Sequence, residues 1–323
     1  MSRVAAIDCG TNSIRLLVAD VTYRDDGSCW LRDVHREMRI VRLGEGVDAT
    51  GRLSDAALAR TRAALADYTA VVRRKGAERV RMVATSATRD AGNRDEFFGM
   101  TLDVLGVEAE VISGDEEARL SFAGAVSDLE PGDGPFLVTD IGGGSTEFVV
   151  GTWDGVKATV EAARSVDIGC VRLTERALRS DPPTADEIAA ARAIADDVLA
   201  EAFAAVPVGR ARTWVGVAGT VTTLSGLIQD LPAYDPELIH LSRLGLPDIR
   251  DTASRLLTAS HDERAALPVM HPGRVDVICG GALIVQCIAE RLVCETGITE
   301  LLVSEHDILD GIALSTTESP DRA

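Results

Sequence analysis

Apolar positions fall into short runs that end in an acid and give way to polar, glycine-bearing turns. Val4-Ala-Ala-Ile-Asp8 is one such run; the turn Cys9-Gly-Thr-Asn-Ser13 follows, and Ile14 to Asp20 is a second run. Two strand-like segments around a glycine-containing tip predict a β-hairpin. From Ser54 to Lys75 the apolar residues recur at three and four, Ser54 stands as an N-cap, and Gly76 follows a basic last turn, so this span is read as a helix. Val80 to Ala84 is the next strand, Thr85 to Asn93 a loop, Arg94 to Leu105 a helix and Val107 to Ile112 a short strand. Strands alternating with helices favour an α/β domain.

A second cycle opens at Phe136-Leu-Val-Thr-Asp140, again an apolar strand ending in an acid, and enters Ile141-Gly-Gly-Gly-Ser-Thr-Glu147 before the strand Phe148 to Gly151. The likeness of Ile7-Asp-Cys-Gly-Thr-Asn-Ser13 to Thr139-Asp-Ile-Gly-Gly-Gly-Ser145 suggests two related domains, each presenting a glycine hairpin. Helices are expected over Thr184 to Phe203, Val221 to Gln229 and Asp248 to Thr258, with strands near Thr213 to Val217 and Glu300 to Ser304. Asp128 to Gly134, rich in acid, Pro and Gly, reads as a linker, and Thr316 to Ala323 as a frayed tail.

Composition narrows the function. At 323 residues the chain fits two domains. It has no apolar run of about 20 residues and no signal-peptide layout, which predicts a cytoplasmic protein with no membrane partner. The six cysteines are scattered without a zinc-like spacing and read as reduced and mostly buried. A net charge of −18 argues against nucleic-acid binding, because phosphate backbones are held by excess Lys and Arg. A polyanionic ligand would have to be received locally, by backbone amides, a few arginines and a divalent metal.

Glycine tips expose successive backbone N–H groups that can wrap phosphate oxygens. Gly10, Gly142, Gly143 and Gly144 are the candidates for this, supplemented by the side chains of Thr11, Asn12, Ser13, Ser145 and Thr146. Asp8 and Asp140 lie where each strand hands over to its turn and are assigned to a metal shell, with Glu147 as a third acid on metal or water. In Ile112-Ser-Gly-Asp-Glu-Glu-Ala-Arg-Leu120 three acids open a helix capped by Ser113; helix-dipole preference alone explains acids there, and composition selects none of them.

Taken together with Ala84-Thr-Ser-Ala-Thr-Arg-Asp-Ala-Gly-Asn93, Asp167-Ile-Gly-Cys-Val-Arg172, Ala218-Gly-Thr-Val-Thr-Thr223 and Ser304-Glu-His-Asp-Ile-Leu-Asp-Gly311, these segments resemble the Ppx/GppA exopolyphosphatase and guanosine pentaphosphate phosphatase family of the actin, Hsp70 and sugar kinase (ASKHA) superfamily. The resemblance covers most of the chain. It implies two actin-like, ribonuclease H-like α/β domains with an active-site cleft between them, residues 1–125 plus 306–323 forming the first and 126–305 the second. It further implies that Glu117 is the general base acting on the attacking water, that Arg89 binds the phosphoryl group under attack, and that Asp140 and Glu147 organise Mg²⁺, with Mn²⁺ as its substitute. A homodimer is the family-level expectation.

Two departures stand out. Cys9 and Thr11 occupy positions where family members often carry other small residues and Ser, and the sequence ends near residue 323 where long members continue into additional helical domains, so a two-domain form preferring shorter polymers or acting less processively is expected. The expected reaction is hydrolysis of terminal phosphate from inorganic polyphosphate. The alternatives are conversion of guanosine pentaphosphate (pppGpp) to the tetraphosphate, transfer by an ATP-dependent kinase, and a sensor without turnover. The combination of Glu117, Arg89, Asp140 and Glu147 argues against the sensor, which has no need of a base.

Overall fold

The computed structural model describes residues 2–24 and 28–316, so the expected tail beyond Thr316 lies outside the described residues. The described chain divides into two compact units. The first comprises residues 2–128, 154–158 and 307–316, and the second residues 129–153 and 159–306. No helix among the described residues is long and apolar enough to cross a membrane.

The first unit holds a five-stranded sheet of β1 (Ser2–Cys9), β2 (Ser13–Tyr23), β3 (Cys29–Ile40), β4 (Arg79–Ala84) and β5 (Glu110–Val111), in the order β3-β2-β1-β4-β5. β1, β2 and β3 form an antiparallel meander, while β4 runs parallel to β1 and β5 parallel to β4. β1 and β2 are buried on both faces, which is why they read as near-continuous apolar runs. Ala5, Ile7, Leu16 and Val18 join the core under helix α1 (Asp55–Lys75), which buries Leu65, Tyr68 and Val72. Val4, Ala6, Leu17 and Ala19 face the opposite core with Leu120, Ile308 and Ile312. Helix α2 (Arg94–Leu105) lies on the α1 side; α3 (Gly114–Val126) begins at the Ser113 cap, its Oγ accepting from the Glu116 amide at 3.2 Å.

The second unit repeats this plan. Its strands are β6 (Phe136–Ile141), β7 (Thr146–Trp153), β8 (Ala158–Val166), β9 (Thr213–Val217), β10 (Arg243–Gly245) and β11 (Glu300–Val303), in the order β10-β11-β9-β6-β7-β8. Reading β8-β7-β6-β9-β11 against β3-β2-β1-β4-β5, the central hairpin is antiparallel in both sheets and the next two strands are parallel. The short motif repeat seen in the sequence is therefore a repeat of a whole sheet. Helices α4 (Cys170–Ala177), α5 (Ala185–Ala205), α6 (Ala218–Ile228), α7 (Leu246–Thr258) and α8 (Ile278–Thr296) surround it. α5 starts with a Thr184/Glu187 capping box. The last helix, α9 (Ile308–Ser315), belongs to the first unit.

α3 and α9 meet backbone to backbone. A Cβ on Gly124 would overlap the Asp307 carbonyl, and one on Gly311 would overlap the Leu120 carbonyl. Only glycine permits that approach.

Candidate active site

Each glycine turn sits at the same place in its sheet and closes in the same way. The Gly10 amide donates to the Ser13 carbonyl at 3.0 Å, and the Gly142 amide donates to the Ser145 carbonyl at 3.1 Å. These two amides, and the Thr146 hydroxyl, which donates to the Ile168 carbonyl at 2.6 Å, are engaged inside the hairpins. Expected as phosphate contacts, Gly10, Gly142 and Thr146 instead shape the turns. The remaining candidates for phosphate are the amides and hydroxyls of Thr11, Asn12 and Ser13 in the first turn and of Gly143, Gly144 and Ser145 in the second.

Both turns are braced from outside by a segment that follows the third strand of the meander. In the first unit the Val41 and Arg42 amides donate to the Asn12 carbonyl and the Gly44 amide to the Thr11 carbonyl, at 2.8 to 3.1 Å. In the second, Cys170 donates to Gly142, Val171 and Arg172 donate to Gly143, and Arg172 Nε reaches the Gly144 carbonyl at 2.7 Å. Gly169 is required here because a Cβ would overlap the Gly143 carbonyl. The motif Asp167 to Arg172 thus acts as a clamp on the second turn. Its counterpart around Leu43-Gly-Glu-Gly46 went unread, although two glycines in three residues were a visible signal.

The structure distinguishes the three acids at the start of α3. Asp115 is exposed and Glu116 pairs with Arg81 at 2.7 Å, whereas Glu117 is buried and receives Arg89 Nη1 on Oε2 at 2.6 Å. Arg89 also donates to the Ile112 carbonyl at 3.1 Å. The segment expected as a loop is in part a short helix, Ser86–Asp90, which points Arg89 at α3. Thr85 donates its amide to the Cys9 carbonyl at 3.3 Å, so this helix starts beside the first turn. β1 and β4 run parallel and both end here, the edge where α/β sheets gather ligand-binding groups.

Register places Asp8 directly opposite Arg15 in the first hairpin and Asp140 directly opposite Glu147 in the second. The same position pair therefore carries opposite charges in one unit and two acids in the other. Asp140 and Glu147 are 7 % and 1 % exposed, and Glu147 Oε1 accepts from Ser165 at 2.7 Å. Like charges directly opposite on buried neighbouring strands destabilise the fold unless a cation balances them. That donor set, hard carboxylate oxygen only, fits Mg²⁺ or Mn²⁺.

Asp8 is a different case. Arg15 Nε and Nη2 both donate to its Oδ2, at 3.0 and 2.6 Å, and Oδ1 is buried with no hydrogen-bond partner. Burial pushes the Asp8 carboxyl above the usual carboxylate range, even against Arg15. A buried, unpartnered carboxylate oxygen also fits a hard cation or its bound water. Cys9 next to it is buried and its thiol is pushed up by that burial, an inert packing role. The structure pairs none of the six cysteines.

One further basic group escaped the sequence reading. In the Ala218-Gly-Thr220 motif that opens α6, the Arg274 guanidinium lies against Gly219, where a Cβ would meet it, and Nη1 donates to Thr223 Oγ1 at 3.0 Å. β9 ends at this motif, parallel to β6. Nothing local to Arg274 in the chain marked it.

Residues 20–316 match the model of the Ppx/GppA phosphatase family. The chain is 57 % identical over 323 residues to Exopolyphosphatase 2 of Mycobacterium tuberculosis, covering 98 % of each. It is 33 % identical over 296 residues to the Guanosine-5'-triphosphate,3'-diphosphate pyrophosphatase of Aeromonas salmonicida, covering 90 % of this chain and 55 % of that protein. A crystal structure described as an exopolyphosphatase-like protein superposes with a TM-score of 0.91 at 44 % identity, over 97 % of both chains. With two sheets of the actin-like ASKHA plan and a family match over residues 20–316, the chain belongs to the Ppx/GppA phosphatase family and is an enzyme of the hydrolase class.

Proposed function

We propose that this enzyme is an exopolyphosphatase that removes the terminal phosphate of inorganic polyphosphate as orthophosphate. The observation that carries the reading is the buried Glu117 carboxylate held against Arg89 beside the first glycine turn. In the resting protein the two neutralise each other. A phosphoryl group that draws the Arg89 guanidinium onto its own oxygens loosens the hold of Arg89 on the buried Glu117 carboxylate. Glu117 then orients the attacking water and accepts its proton, while Arg89 stabilises charge on the phosphoryl oxygens. In the first unit the amides of Thr11 and Asn12 and the Ser13 hydroxyl would hold phosphate oxygens, and in the second the amides of Gly143 and Gly144 and the Ser145 hydroxyl. In the second unit Asp140 and Glu147 are the residues that would hold Mg²⁺, which supplies neutralisation of phosphate charge when bound, and in the first unit Asp8 Oδ1 would meet a cation or its water.

The relative with full-length coverage, named Exopolyphosphatase 2, supports polyphosphate as substrate. The Aeromonas relative, named for a guanosine pentaphosphate-type substrate, supports pppGpp as the second reading. Both present a terminal phosphoanhydride, so the chemistry above serves either. The test is orthophosphate release with Mg²⁺ from polyphosphates of several lengths, beside pppGpp and ATP. Release from polyphosphate that EDTA abolishes is expected; release from pppGpp alone would move the function to alarmone hydrolysis.

A further inference from the structure

The Arg15 side chain touches two buried carboxylates of the first unit. It donates through Nε and Nη2 to Asp8 Oδ2 and through Nη1 to Asp307 Oδ2. Asp307 is the residue at which the chain re-enters that unit, and it caps α9: its Oδ1 accepts from the Leu309 amide at 2.9 Å, in a capping box with Asp310. Both Asp307 oxygens are thus engaged, and the residue is 4 % exposed. Its backbone is fixed as well, because Gly124 of α3 packs on the Asp307 carbonyl. The helix that carries Glu117 is in this way joined through Asp307 and Arg15 to Asp8.

The geometry of the pair is unusual for a guanidinium. Arg and carboxylate commonly meet as two forks, one N–H to each oxygen. Here both N–H groups take the same oxygen of Asp8 and leave Oδ1 without a partner. Charge supports the same outcome: Asp8 and Arg15 alone are neutral, and Asp307 makes the trio net negative, so the cluster still attracts a cation despite its guanidinium.

We propose that Arg15, anchored by Asp307, is a positioning residue that holds Asp8 by one oxygen so that the other is presented to a divalent cation or its water. The inference rests on the metal reading of the site given above. A guanidinium within hydrogen-bond reach of a metal-binding carboxylate repels the metal by charge; one that orients the carboxylate assists it. Arg15→Gln separates the two roles, since removal of the charge alone tightens cation binding and loss of orientation weakens it.

The experiment titrates Mn²⁺ into the full chain, reading free Mn²⁺ by electron paramagnetic resonance, for wild type, Arg15→Gln, Arg15→Lys, Asp307→Asn, Asp8→Asn and, as a control at another ion pair of the same hairpin, Asp20→Asn. Thermal unfolding identifies the folded variants. Asp307→Asn keeps an acceptor for the Leu309 amide, so the helix cap survives. We expect Mn²⁺ affinity to fall about tenfold in Arg15→Gln and Asp307→Asn, at the lower end for residues that orient a metal ligand. Arg15→Lys falls between, Asp20→Asn is unchanged, and the Mg²⁺ concentration for half-maximal activity rises in parallel while kcat at saturation changes less. Unchanged or tighter Mn²⁺ binding in folded Arg15→Gln and Asp307→Asn, with wild type binding and Asp8→Asn weakened, overturns the positioning role alone. Wild type that binds no Mn²⁺, or Asp8→Asn that binds as well as wild type, overturns the metal reading of Asp8 and the proposal with it.

Discussion

A single burial difference separates Glu117 from its two acidic neighbours, and it was invisible in the chain. Asp115, Glu116 and Glu117 are equally good first-turn residues by dipole preference; only tertiary packing sends Glu116 to Arg81 and Glu117 inward to Arg89. Resemblance singled out Glu117 among the three, which residue chemistry alone did not. The same holds for Asp8: the sequence showed an acid at a strand end, and the register added that its cross-strand partner is Arg15 where the repeat has Glu147. At this scale Arg89→Gln is predicted to lower kcat/KM by about 10² to 10³-fold, the range for losing one donor to developing charge. Steady-state kinetics on polyphosphate check it; a loss under about threefold would leave Arg89 as a mere partner of Glu117.

Among elements, the hairpins and α1, α2, α5 and α7 were legible from their periodicity, and α1 also from its Ser54 cap and Gly76 stop. β3 and β8 were missed: both are edge strands, and their largely half-exposed residues carry no apolar run like those of β1 and β6. α8 was missed for the opposite reason, being apolar nearly all round and without an N-cap side chain. The strand expected over Val107 to Ile112 shrinks to Glu110–Val111. Glycines offer a contrast that tests the packing account. Gly124→Ala forces α3 and α9 apart and is predicted to destabilise by about 1 to 3 kcal/mol, whereas Gly99→Ala, on α2 with open space at its Cβ position, is predicted to stabilise by about 0.5 to 1 kcal/mol. Denaturant unfolding of the two variants measures both. Gly169→Ala displaces the Gly143 carbonyl, so its expected signature is a raised KM for polyphosphate; an unchanged KM in a folded variant would remove the clamp from substrate binding.

Over the whole molecule, the net charge of −18 means that phosphate binding depends on a few local groups. It also makes acid behaviour informative. Asp20 is 1 % exposed and hydrogen-bonded by Arg3 and then Arg32, which hold its carboxyl down at about 2. A depressed carboxylate contributes stability that is complete above its unfolded value near 4 and lost as pH falls through the folded one; here that is at most about 2 kcal/mol. Wild type is therefore predicted to lose Tm between about pH 4 and 2 more steeply than Asp20→Asn, as calorimetry across that range would record. The repeat of sheet order, foreshadowed by two seven-residue motifs, is what gives each unit its own turn and its own acids. The measurement that bears most directly on the account is turnover and binding of polyphosphate by Glu117→Gln with Mg²⁺. The account predicts kcat lower by about 10² to 10⁴-fold with substrate affinity within a few-fold of wild type; near-normal kcat in a folded variant would contradict it.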